Sequence, residues 1–145
     1  MKYLIVTLIL LNVACTEQAE HYKISKQDTE RVLSVIQEQE NAWNQGNIEN
    51  FMAGYWKSDS LRFSTSNGTR FGWSNTLKGY QKSFPKRDDM GLLSFEIDSL
   101  YTDRAPFISV QGKWKIERYD TIGGNFVLLF ARKQGDWKII EDHTW

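Results

Sequence analysis

Ile108-Ser109-Val110-Gln111-Gly112-Lys113-Trp114-Lys115-Ile116-Glu117-Arg118-Tyr119 alternates between two kinds of side chain over most of its length. Gly112, Trp114, Ile116 and Arg118 fall on one side, Gln111, Lys113, Lys115 and Glu117 on the other. A β-strand turns successive side chains to opposite faces. The stretch therefore predicts an antiparallel strand with one face packed and one in water. Its neighbours continue the pattern. Leu92 to Tyr101 sets Phe95 and Ile97 against Glu96 and Asp98. Gly123-Gly124 reads as a turn, Asn125 to Lys133 as a largely apolar central strand, and Gln134-Gly135-Asp136 as another turn. Trp137 to Trp145 is the last strand. The second half of the chain is thus predicted to be a meander of strands.

The first half has a different period. From Gln27 to Gln45, Val32, Leu33, Val35, Ile36, Gln39, Ala42 and Trp43 recur at helical steps. Asp28 is the expected N-cap and Gly46 the C-terminal cap. Asn47 opens a second short helix that delivers Tyr55 and Trp56 near its end. Leu61 to Thr65 and Thr69 to Gly72 form a hairpin across Asn67-Gly68. Ser74 to Phe84 is a third helix, ended by Pro85. Helices gathered on one face of an antiparallel sheet define an α+β fold. With the helices over the concave side of a curved sheet, the shape is a cone, and its inside is the natural ligand cavity.

The final strand adds chemistry. Under strict alternation Trp137, Ile139, Glu141 and His143 share one face, and Lys138, Ile140, Asp142 and Thr144 the other. A polar pair at the end of an apolar strand is costly to bury without partners. It fits the rim or wall of a cavity, which makes Asp142 and His143 the candidates for proton transfer, although alternation puts them on opposite faces. A lone His near a strand end, as His143 is, is more often a hydrogen-bonded structural residue than a catalyst. Arg118 either binds a ligand carboxylate with its planar fork or pairs with an acidic neighbour at the rim.

Composition narrows the function. The chain has 145 residues and zero formal net charge, with six Trp, six Tyr and eight Phe. That length suffices for one domain with a real core. The aromatic side chains serve equally as core or as cavity wall. No basic stripe supports nucleic-acid binding. The spacing of His, Cys and carboxylates supports no metal site, and no glycine-rich phosphate loop or nucleophile elbow calls for a cofactor or a hydrolase.

Residues 1–15 read as an export signal. Met1-Lys2 precedes the apolar run Tyr3 to Leu11, and Asn12-Val13-Ala14-Cys15 ends it. The run is short for a permanent membrane span. The single cysteine, Cys15, closes it in the manner of a bacterial lipobox, with Asn12 where that pattern prefers Leu. The expectation is a lipidated protein held at the periplasmic or cell-surface side of a bacterial membrane, with residues 16–26 as a tether and 27–145 as the domain. An ordinary cleaved signal is the alternative.

Ala42-Trp43-Asn44-Gln45-Gly46-Asn47, the stretch Phe51 to Trp56, Gln111-Gly112-Lys113-Trp114 and Trp137 to Thr144 together resemble the nuclear transport factor 2-like superfamily. The nearest likeness is to its SnoaL-like and ketosteroid-isomerase-like bacterial domains of unknown function, from about Asp28 to Trp145. The resemblance implies a cavity between the first helix, the third helix and the inner sheet face. By position its wall would hold Trp43, Tyr55, Trp56, Phe71, Tyr80, Trp114, Arg118 and His143. It also implies pairing through the sheet, hence a possible homodimer. The scaffold hosts several activities. The expectation is a binder of a small, largely apolar molecule. The alternatives are an isomerase, cyclase or dehydratase using His143 or Asp142, and an interaction module.

Overall fold

A computed structural model describes residues 23–145. Cys15, the segment read as an export signal and most of the expected tether lie outside them. The elements are α1 (Lys26–Asn44), α2 (Ile48–Met52), β1 (Arg62–Thr65), β2 (Gly68–Phe71), α3 (Trp73–Ser83), α4 (Arg87–Met90), β3 (Leu92–Tyr101), β4 (Ile108–Glu117), β5 (Thr121–Lys133) and β6 (Asp136–Thr144). The strands form one sheet in the order β2-β1-β6-β5-β4-β3. β3 to β6 make the expected antiparallel meander, and β1 joins β6 in parallel. The sheet is curved and unclosed, with the helices against it, as the α+β reading expects.

The apolar stripe of α1 decides how it docks. Val32, Val35, Ile36, Ala42 and Trp43 are buried in the core, while Leu33 stays partly exposed. Gln39 is buried with them, and its amide donates to the Phe51 carbonyl at 3.0 Å, tying α1 to α2. The N-cap is Ser25 rather than Asp28: its hydroxyl accepts from the Asp28 N–H at 3.0 Å. Asp28 turns inward instead, accepts from the Trp137 indole at 2.8 Å, and pairs with Arg132. Gly46 takes a φ of 78° after the last turn, as its position predicts.

Arg31 locks the same helix to the start of β6. Its Nε and Nη2 donate to the two carboxylate oxygens of Asp136, each at 2.8 Å. At the other end α1 covers an edge of the sheet. The Asn44 side chain donates to the Leu93 carbonyl at 2.9 Å and accepts from the Leu93 N–H at 2.7 Å. Glu40 accepts from the Phe95 N–H at 2.8 Å. Exposed strand edges invite unwanted pairing, and here helix side chains occupy the edge of β3.

Some local expectations shift. Gly123 and Gly124 lie inside β5, and the chain reverses at Arg118, Tyr119 and Asp120. A Cβ at Gly124 would come 3.0 Å from the Trp114 indole nitrogen, so the glycine admits the ring beside it. The β1–β2 turn is Ser66-Asn67, one residue earlier than expected.

The largest departure is in β6. Phe130 pairs with Ile139 and Leu129 with Glu141, leaving Ile140 as an extra residue. Such a bulge restarts the alternation. Trp137, Ile139 and Asp142 are therefore buried, and His143 is exposed.

A cavity with a buried carboxyl

A cavity of about 530 Å³ opens between the helices and the inner face of the sheet. From the helical side Trp43, Phe51, Tyr80 and Phe84 line it. These rings hold one another edge to face: Trp43 lies 5.2 Å from Phe51 and 4.8 Å from Phe84, and Phe51 lies 5.2 Å from Tyr80. From the sheet come Phe63, Phe95, Trp114, Phe126 and Leu128. The register explains the set: Phe95 pairs with Trp114, and Leu128 with Asp142. The β1–β2 hairpin, including Arg70, forms part of the rim.

Asp142 is the acidic group in this aromatic wall, with only 5 % of its surface exposed. The Tyr55 hydroxyl donates to one carboxyl oxygen at 2.7 Å, and the Thr144 hydroxyl donates to the other at 3.2 Å. Tyr55 reaches it because the segment after α2 runs beside β6. The Trp56 N–H donates to the Ile139 carbonyl at 2.9 Å, and the Ile139 N–H donates to the Gly54 carbonyl at 3.0 Å. Burial pushes the Asp142 carboxyl up to about 6, with the two hydrogen bonds pulling the other way. Burial, and then the Asp142 charge, push Tyr55 and Tyr80 upward too, so both phenols keep their protons. The result is a carboxyl poised near neutrality in an apolar space, which is suited to holding or taking a proton.

Of the residues singled out in the sequence, Trp43, Tyr55, Tyr80, Trp114 and Asp142 line this one cavity. The others require correction. His143 faces outward because of the bulge, with its ring 5.1 Å from Trp145. Arg118 lies in the turn past β4; its guanidinium donates to Asp120 at 2.6 Å and to the Asp89 carbonyl at 2.9 Å. Trp56 is outside, with the Lys133 ammonium 4.0 Å above its ring. Phe71 is 58 % exposed beyond the hairpin. Sequence reasoning missed several lining residues, among them Phe63 and Arg70. The Leu61, Phe63, Thr65 alternation could have found the first; nothing in so short a strand singles out the second. Among the described residues no three His, Cys, Asp or Glu side chains gather in a way that could hold a metal ion.

No protein-family model and no curated protein matches the chain. Solved structures do. An NTF-2 like protein of unknown function from Shewanella oneidensis MR-1 is 32% identical, with a TM-score of 0.77, over 80% of this chain and 97% of that one. A ketosteroid isomerase-like protein from Erwinia carotovora atroseptica SCRI1043 shares the fold at 13% identity and a TM-score of 0.63, over 83% and 96% of the two chains. An NTF2-like superfamily protein from Salmonella enterica serovar Typhimurium LT2 does so at 13% and 0.63, over 80% and 88%. With the α+β cone in place and near-complete coverage of a 32% identical relative, the chain belongs to the nuclear transport factor 2-like superfamily.

Proposed function

We propose that the domain binds a small, largely apolar molecule in its cavity, and that Asp142 exchanges a proton with it. The observation carrying this reading is the buried Asp142 carboxyl, raised to about 6 and held by Tyr55 within aromatic walls. A ligand-binding wall needs no such group; burying it costs stability. The ketosteroid isomerase-like relative is named for chemistry of this kind. In the reaction class we infer, the Asp142 carboxylate takes a proton from a carbon next to a carbonyl. The electron pair moves towards the carbonyl oxygen, and the carboxyl then returns the proton to carbon. The balance needs no added oxidant, reductant or cofactor.

The test is hydrogen–deuterium exchange at the α-carbons of apolar cyclic ketones, followed by NMR with the full chain in heavy water. Exchange should switch on as pH rises through about 6, and Asp142→Asn should abolish it while ketone binding persists. Binding without exchange would remove the proton transfer and leave a binder. Absence of binding would remove both.

The placement of the protein is part of the same proposal. Lys2, the short apolar run and Cys15 support export and lipidation, with the domain tethered at the periplasmic or cell-surface side of a membrane. Cys15→Ser should shift the exported protein from the membrane to the soluble fraction; unchanged membrane retention would reject the anchor. Among the described residues no helix is long and apolar enough to cross a membrane. A modest homodimer through the outer sheet face is also proposed. Gln111, Lys113, Lys115 and Glu117 give that face a polar part, and Trp145, half exposed, an apolar one. Light scattering that finds only monomer at high concentration would reject it.

A further inference from the structure

We propose that Arg70 is an anion anchor at the rim of the cavity, so that the ligand is an apolar ring or chain ending in a carboxylate. This rests on the reading of the cavity as a small-molecule site and names the class of molecule it takes. Arg70 lies on β2 opposite Phe63, and both line the cavity. Four other arginines are paired with carboxylates: Arg31 with Asp136, Arg62 with Glu141, Arg118 with Asp120, Arg132 with Asp28, while Arg104 lies over the Phe107 ring. Arg70 has no ion pair or hydrogen bond to any described residue. Its charge faces the space rather than a partner.

The guanidinium lies close to a helix. It lies against Gly79 of α3, where a Cβ would stand 2.3 Å from Nη1 and 2.6 Å from the central carbon. Glycine inside a helix is unfavourable by itself; here its missing side chain leaves the groove in which the guanidinium rests. The central carbon is 6.0 Å from the Phe63 ring centre, and the charge acts on the Tyr80 phenol. A planar fork close to a helix backbone and about one ring-width from Phe63, with no acid of its own, is suited to bidentate capture of a carboxylate. Asp142 in the same wall sets the limit on ligand charge: a monoanion is tolerated more easily than a doubly charged phosphate. Arg70 thus takes the carboxylate-binding part that the sequence had offered to Arg118.

The test uses matched probes, 2-naphthylacetate and its neutral amide, titrated calorimetrically into the full chain at pH 7.5 and low salt. The carboxylate should bind the native chain about tenfold more tightly than the amide, the size of one charge-assisted contact. Arg70→Met keeps an apolar stem over Phe63 and should erase that preference while leaving the amide affinity within about twofold. Gly79→Ala fills the groove in a residue that favours the helix, and should reduce the preference without loss of folding. Equal binding of both probes to the native chain, or equal loss of both in Arg70→Met, overturns the anchor and leaves the cavity reading standing. If neither probe binds the native chain, the cavity reading falls and the anchor with it.

Discussion

Asp142 should make the protein less stable as the solution becomes less acidic. Its carboxyl titrates near 6 in the fold against 3.8 in the unfolded reference. The folded state therefore holds the proton more tightly, and the stability it lends is complete below the unfolded value and lost as pH rises through about 6. The loss amounts to about 3 kcal/mol by the usual conversion of pKa shifts. Asp28 and Asp136 act in the opposite sense. The Trp137 indole and the Arg31 fork hold them below the usual carboxylate range, so their contribution disappears as pH falls. Asp142→Asn isolates the first effect: urea unfolding at pH 5 and pH 8 should show a pH-dependent difference from the native chain, with the variant gaining at pH 8. Tyr55→Phe removes a bond that lowers the Asp142 pKa, so the carboxyl should titrate above about 6 in carbon NMR. Strict alternation set Asp142 and His143 on opposite faces, with His143 on the side of Trp137 and Ile139 and Asp142 on the other. The bulge at Ile140 that turns one inward and the other outward has no local signature; it follows from how β6 meets β5 and the segment after α2.

Among the elements, a single substitution can open the contact between α1 and β3. Asn44→Ala would strip both bonds from Leu93 and leave its backbone groups without these partners. The expected cost is about 1–3 kcal/mol in urea unfolding, with faster amide exchange at Leu93 and Phe95. Unchanged exchange there would mean the helix does not protect the strand edge. The helices and the meander were legible because apolar periodicity is local and each reads within its own segment. Pairing between segments was not. β1 beside β6 in parallel, and α4 before β3, depend on contacts between residues far apart or on a helix of one turn, which leave little pattern. Gly123-Gly124 misled for a related reason: a glycine pair signals a turn, yet here it makes room for Trp114 within a strand.

For the whole molecule, the cone leaves its interior partly empty, and the aromatic walls set the affinity. Trp114 reaches the cavity from the sheet side, away from the interlocked rings of α1, α2 and α3. Trp114→Ala should weaken apolar ligands by a few kcal/mol at most, read by calorimetry with the fold monitored by circular dichroism. Full retention of affinity would show that ligands never reach that wall. The composition foretold many aromatic residues without dividing them between core and cavity; the division is made by register and helix phase. Trp43 is almost wholly buried, with its indole donating to the Met90 carbonyl at 3.0 Å, and it lines the same space as Trp114. The cavity is therefore walled by its own fluorophores. Ultraviolet excitation should give a blue-shifted emission component from Trp43. A carbonyl compound entering the space should quench it, so occupancy could be followed by light alone, with no label on protein or ligand.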